Sequence, residues 1–243
     1  MKYLMVNYNF YLKNIVIIWM LTFSVQSAYA ESLYVFYPST LRTQFMQKKL
    51  TNALPGIEIR VFGRYKDFKS KIKADSPEVI LAKMPVIKRL KNYVPKLNGS
   101  RKNETKEPYV FLSVTENKKP NPNNMAGMTI GVFDILGRKG MKELVGNYFK
   151  PIPKLKRVSK MEDLLQLLTF NMVNAVLIPE IHVKYFKEIS KLNFVITPVP
   201  KMQVGIISLA VRNNGNATNI LKVFTNMNSK LKKPLGIDNL EEQ

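Results

Sequence analysis

Leu33-Tyr34-Val35-Phe36-Tyr37 runs into Pro38-Ser39-Thr40 and then into Leu41 to Ala53, where Leu41, Phe45, Lys49 and Leu50 recur at helical spacing. A β-prone run, a turn carrying hydroxyls and an amphipathic segment together make one strand-helix step. Pro55-Gly56 then turns the chain into Ile57 to Phe62, an alternating strand, and Tyr65 to Lys73 reads as a short helix. Glu78 to Ala82 (EVILA) follows, apolar enough to be buried on both faces. Two such steps in succession predict a parallel sheet covered by helices.

Working outward, the rhythm repeats. Pro85 to Asn92 reads as a basic helix, and a polar stretch, Asn98 to Glu107, leads into the strand Tyr109 to Val114. Glu116 to Met125, rich in Lys, Asn and Pro, is the strongest linker signal. A second alternating set begins with the strand Thr129 to Phe133, the helix Gly140 to Phe149 and the strand Lys156 to Val158. Lys160 to Phe170 carries an amphipathic stripe of Met161, Leu164, Leu165, Leu167 and Leu168. The strand Ala175 to Ile178 ends in Pro179-Glu180 and a helix to about Ile189. Strands at Phe194 to Thr197 and Ile206 to Val211, then a helix from Ala217 to Met227, close the pattern.

The amino terminus addresses the compartment. Lys2 and Lys13 precede an apolar run, Ile15 to Phe23, which ends in Ser27-Ala28-Tyr29-Ala30, an A-x-A pattern. An apolar core of about nine residues suits a secretory leader cut after Ala30 and falls short of the roughly twenty that span a bilayer. An uncleaved anchor is the alternative. The chain has no cysteine, which excludes a disulfide framework, thiolate chemistry and a lipidated cysteine after the leader. Export without an anchor predicts a periplasmic or secreted protein, expected to be a monomer.

The net charge of +21 brings nucleic acid or an anionic membrane into consideration. The charge is spread over many lysines, however, and neither arginines nor exposed aromatics cluster as nucleic-acid readers require. A solvated basic surface is therefore expected, with no nucleic-acid partner. Catalytic constellations are nearly absent. His182 is the only histidine, no G-x-S-x-G accompanies it, and no metal-ligand spacing exists, so neither catalytic residues, metal nor cofactor is expected. No phosphate-binding glycine motif is present either.

In parallel sheets ligands bind outside the carboxyl ends of the strands, where helix amino termini aim donors into a crevice. That rule selects Pro38-Ser39-Thr40, Gly63-Arg64-Tyr65, Lys83-Met84-Pro85, Asp134 to Gly140 and Pro179-Glu180. Ser39 and Thr40 can cap the first helix or bind an anion. Arg64 can grip a carboxylate or phosphate, or pair with Asp67 on the surface. Asp134 can touch a ligand or cap its helix, and Glu180 can order a cation or begin its own helix. The candidate ligand set is Ser39, Thr40, Arg64, Met84, Asp134, Leu136, Gly137 and Glu180.

Several segments in this order carry a resemblance. They are Ser76 to Ala82, Glu107 to Val114, Met128 to Val132, Met161 to Leu165 and Asn174 to Glu180. The chain resembles type 2 periplasmic substrate-binding proteins, and within them the branch of phosphate and phosphonate-type ABC-transporter binding proteins. The resemblance implies an α/β fold of two lobes, each a mostly parallel sheet flanked by helices. It implies a hinge of two crossover strands near Tyr109 to Val114 and Val204 to Leu209. Lobe 1 would be residues 31–112 with 205–243, and lobe 2 residues 113–204. It also implies capture of a small-molecule solute, without chemistry, for an ABC-type membrane permease. A membrane sensor, served by an interaction subunit with a degenerate ligand site, is the alternative. The family's second-lobe hydroxyls are replaced here by Asp134-Ile135-Leu136-Gly137. That departure leaves open an uncharged or cationic solute, or a degenerate site.

Overall fold

The computed structural model describes residues 31–115, 117–227 and 229–242; the expected leader, residues 1–30, lies outside them. No helix among the described residues is long and apolar enough to cross a membrane. Two sheets organise the chain. The first contains β1 (Ser32–Phe36), β2 (Glu58–Phe62), β3 (Val79–Lys83), β4 (Tyr93–Ser100), β10 (Ile207–Arg212) and β11 (Asn239–Glu242), in the order β11-β4-β10-β3-β1-β2. The second contains β5 (Lys106–Val114), β6 (Thr129–Phe133), β7 (Lys154–Val158), β8 (Ala175–Pro179) and β9 (Phe194–Gly205), in the order β7-β6-β8-β5-β9.

The two sheets share one plan. A parallel triplet, β2-β1-β3 in one and β7-β6-β8 in the other, is extended by antiparallel strands, β10 on β3 and β5 on β8. Helices α1 (Thr43–Ala53) and α2 (Tyr65–Asp75) supply the crossovers of the first triplet, α4 (Gly137–Gly146) and α5 (Asp163–Thr169) those of the second. A short α3 (Met84–Ile87) follows β3; a 3-10 turn (Glu180–His182) and α6 (Val183–Ile189) follow β8; α7 (Thr218–Thr225) and α8 (Ser229–Leu235) precede β11.

The period-2 alternation of the strands sorts their side chains into layers. Leu33 and Val35 of β1 face a cluster with Leu50, Leu209, Ile220 and Phe224. Tyr34 and Phe36 face the opposite way, into a cluster that continues into the second sheet through Tyr109, Phe111, Ile130 and Val132. Val110 and Leu112 of β5 turn outward to Leu164, Val176 and Phe186. One apolar core therefore passes between the sheets, with α2 and α4 contributing Phe68 and Met141 to it.

The chain passes between the sheets at residues 101–105 and again at Gly205-Ile206. Lys106 pairs with Gly205, and the Ile206 N–H donates to the Thr105 carbonyl at 3.0 Å, so the two connectors run side by side. β5 pairs along its length inside the second sheet, because Tyr109 and Phe111 on one face and Val110 and Leu112 on the other are all covered there. The first crossing thus precedes the strand expected to make it.

Other differences have local causes. The basic helix expected over Pro85 to Asn92 stops at Ile87, and the chain turns into β4. Tyr93 and Leu97 anchor that strand by burial, and the Tyr93 hydroxyl donates to the Pro77 carbonyl at 2.8 Å. Pro95 cannot donate to the ladder, and the pairing with β10 shifts register beside it, between Leu209 and Ala210. In α1 Leu50 is buried as expected, but Met46 takes the buried place expected for Phe45, which is exposed, as is Leu41 before the helix.

Candidate functional site

The carboxyl ends of β1 and β2 face those of β6 and β7 across a cleft of ≈ 730 Å³. Ser39, Thr40, Arg42 and Thr43 line it from the loop and first turn after β1, and Arg64 from the end of β2. Ser159, Lys160 and Glu162 line it from the opposite side, after β7. The eleven-residue α1 opens into this cleft with no side-chain cap and no acidic residue in its first turn. The Phe45 N–H already donates to the Arg42 carbonyl at 3.0 Å, so the Thr43 and Gln44 N–H groups are the ones left to carry the positive end of the helix dipole. Gly63 permits the close approach of β2 to α1, since a Cβ there would lie 3.0 Å from the Thr43 hydroxyl. The lining holds three cations, Arg42, Arg64 and Lys160, against one carboxylate, Glu162.

Ser39, Thr40 and Arg64 of the candidate set meet in this cleft. The Ser39 hydroxyl accepts the Leu41 N–H at 3.0 Å, closing a local turn, while Arg42 occupies the N-cap position of α1. Arg64 pairs with Asp67 at 2.7 Å and leaves 67% of its side chain exposed. The other candidates lie elsewhere. Asp134 accepts the Gly137 N–H at 2.6 Å and pairs with Arg157 of β7, so its charge is matched within its own sheet. Leu136 is buried in the central apolar core, and Gly137 sits at φ 71° facing the Tyr65 ring. Met84 packs on Gly205 at the second crossing, where a Cβ on the glycine would fall 2.6 Å from that of Met84. Glu180 is exposed beside Arg101 and Lys106 in a separate groove.

A buried charged cluster, absent from the candidate set, stands at the first crossing. Lys83, the last residue of β3, pairs with Glu107 of β5, and Arg101 reaches the same carboxylate at 3.2 Å. Lys83 and Glu107 side chains are 1% and 4% exposed. The Lys83 ammonium also lies 5.8 Å from the Tyr37 ring centroid and 6.0 Å from that of Tyr109. Arg101 is fixed by donating from Nε to the Gly236 carbonyl at 2.7 Å. Burial pushes the Glu107 carboxyl up, but Lys83 and then Arg101 overcome it and hold the group below its usual range. Burial pushes the Tyr37 hydroxyl up, with Glu107 adding to the effect. His182 faces the same cluster. Burial lowers its imidazole to about 4, Lys83 and Arg101 act in the same direction, and Glu107 opposes them. The signal for the cluster in the sequence was Lys83 ending an otherwise apolar strand, and Glu107 near the start of another.

The centre of the crevice, where Pro38, Tyr109, Phe133, Pro179 and Met202 meet, is filled by apolar side chains around a void of ≈ 20 Å³. The open space lies to either side of the Ser39–Leu41 loop, which borders both the cleft above and a second groove. Beyond the crevice the two sides touch. Arg89, following α3, pairs with Glu143 of α4, and Tyr65 of α2 lies against Gly137.

No protein-family model matches the chain, and no curated protein matches it in sequence. Solved structures do match it in shape. XAC2383 from Xanthomonas citri, bound to ATP, superposes with a TM-score of 0.61 at 12% identity, covering 87% of this chain and 90% of that one. A substrate-binding protein of an ABC uptake transporter from Streptococcus pneumoniae, with bound histidine, gives 0.58 at 12% identity over 85% and 91%. Holo ArgBP from T. maritima gives 0.54 at 16% identity over 79% and 86%. The likeness, at these identities, is one of fold: the chain has the two-lobed α/β architecture of type 2 periplasmic binding proteins.

Proposed function

We propose that this chain is an exported, periplasmic solute-binding protein without chemistry of its own, which captures a small anion between its lobes and delivers it to an ABC-type permease. The observation that carries this is the cleft lined from both sheets by hydroxyls and by an excess of cations, at the uncapped amino terminus of α1. Asp134 does not oppose an anion, because Arg157 and the Gly137 N–H hold its charge outside that lining. Phosphate- or phosphonate-like oxyanions fit such donors. The ligand-binding residues of this reading are Ser39, Thr40 and Arg64 together with Ser159 and Lys160. The leader-like residues 1–30 support export. Sheet membership supports lobes close to 31–112 plus 205–243 and 113–204, with the first boundary moved toward residues 101–105.

A thermal-shift screen of the purified protein tests the reading with phosphate, methylphosphonate, sulfate, amino acids and polyamines. A ligand of the folded state adds about 2.7 kcal/mol at a hundredfold excess over Kd. A rise with an oxyanion, reduced in Arg64→Ala and Lys160→Ala, is expected. A rise with polyamines alone, or none with any solute, overturns it. A second reading, an interaction or sensing subunit on the same fold, is favoured by the apolar core that continues across both lobes and fills the centre of the crevice. A flat screen from a well-folded protein supports that reading.

A further inference from the structure

We infer that the second groove, on the far side of the Ser39–Leu41 loop, binds a small organic anion with a flat apolar body. The groove encloses ≈ 750 Å³, within the range of small-molecule sites, and it is walled by both lobes. Eight large apolar side chains stand exposed among the described residues, and three of them, Leu41, Phe45 and Ile181, converge on this groove. Scattered exposed apolar residues need no explanation, but convergence in a concavity does. An inorganic oxyanion would leave these faces in water, so the apolar floor selects a ligand with a body of its own.

The rim selects the charge. Lys49, Arg101, Lys184 and Lys233 border the groove, and its one carboxylate, Glu188, already pairs with Lys184 at 3.7 Å. Lys49 stands over the Phe45 ring at 4.8 Å, joining the cationic rim to the apolar floor. Arg101 is oriented in advance, with Nε and Nη2 on the Gly236 carbonyl and Nη1 on Glu107, so little freedom is lost when an anion meets the one N–H left on each terminal nitrogen. His182, kept neutral by burial, adds a polar ring to the wall without adding charge. This site differs from the anion cleft in its cations and its apolar floor, and shares with it Tyr37 and the Ser39–Leu41 loop.

The probe is 8-anilinonaphthalene-1-sulfonate, an arylsulfonate, titrated by fluorescence into the purified protein. The comparison variants are Lys49→Glu/Lys233→Glu, Phe45→Ser and, in the other cleft, Arg64→Ala/Lys160→Ala, each checked for an unchanged unfolding transition. One saturable site is expected, weakened tenfold or more by the first two variants, unchanged by the third, and displaced by benzoate-class anions but not by inorganic phosphate. Absence of saturation, indifference to Phe45→Ser and the lysine reversals, or loss in Arg64→Ala/Lys160→Ala overturns the inference. A dimer dissolved by Phe45→Ser also overturns it, by making the groove a contact between copies. Oxyanion shifts without dye binding sink this inference alone, and dye binding without oxyanion shifts sinks only the solute-capture reading.

Discussion

Replacing Glu107 by Gln removes the one negative charge that Lys83 and Arg101 share. Lys83 is 1% exposed and its strand lies in the middle of the first sheet, so it has no route to water. Removing one partner from a buried ion pair costs about 3–5 kcal/mol, most of it the charge left unmatched. Lys83→Met is the milder change. It substitutes an apolar chain of similar length, and Glu107 keeps Arg101 at 3.2 Å, so about 1–2 kcal/mol is expected. The double variant buries no orphan lysine and should cost less than the sum by more than about 1 kcal/mol. Urea unfolding at pH 7.5, with a common slope, measures all three. In a chain of this size the Glu107→Gln loss corresponds to a fall in Tm of roughly 10 °C. The contribution also has a pH window. The folded carboxyl titrates below its unfolded value, so the stabilisation is complete above the unfolded pKa and disappears as pH falls through the folded one. A Glu107→Gln cost no larger than that of Lys83→Met, or additive effects, would refute the reasoning.

Three further outcomes follow from single positions. His182 titrates at about 4 when folded against 6.5 for the free side chain. The unfolded chain therefore binds the extra proton between those values, and stability is lost as pH falls from about 6.5 toward 4, by at most about 3 kcal/mol. Urea midpoints at pH 7.5 and 5 should differ less in His182→Gln, and an unchanged difference would rule out this histidine as the source. Gly205→Ala forces a Cβ to within 2.6 Å of the Met84 Cβ at the second crossing and should cost about 1–3 kcal/mol in chemical unfolding, with little recovered by adding Met84→Ala, which keeps the clashing Cβ. Gly137→Ala meets only ordinary contact with Tyr65 but must hold φ 71°, so about 1 kcal/mol is expected, and Gly137→Asn should lose less than alanine does.

The strand-helix rhythm was legible because buried parallel strands are nearly pure apolar runs. EVILA and TIGVF fall on β3 and β6, and the duplicated 2-1-3 strand order follows from two such sets. β4 was illegible for the opposite reason. Tyr93 and Leu97 bury their side chains, but Pro95, Lys96 and Asn98 between and beyond them read as loop, and only pairing with β10 makes them a strand. The candidate cleft was legible as loops and not as side chains. The carboxyl-end rule selected Ser39, Thr40 and Arg64, which line one cleft. It could not show that Asp134 is neutralised by Arg157 from a neighbouring strand, nor that Lys83, Arg101 and Glu107, spread over some two dozen positions, converge, because both facts depend on register.

How tightly any solute binds depends on what opening the lobes costs, and the contacts between them are unequal. Arg89 and Glu143 form an ion pair whose side chains are 37% and 47% exposed, a class worth about 0–1 kcal/mol. Tyr65 and Leu136 belong to the core that continues through both lobes, and exposing a large apolar side chain costs about 1.5–3 kcal/mol. Apolar contact, rather than the ion pair, would therefore set the population of an open state, and under the proposed solute capture a ligand that enters only that state would have its apparent affinity reduced by that fraction. Arg89→Ala should leave the radius of gyration unchanged and any anion affinity within about twofold of the parent. Tyr65→Ser should raise the radius of gyration seen by small-angle X-ray scattering and speed association of the anion. If Arg89→Ala opened the lobes and Tyr65→Ser did not, the lobes would be held by charge, and the same core would have to be read as packing within each lobe.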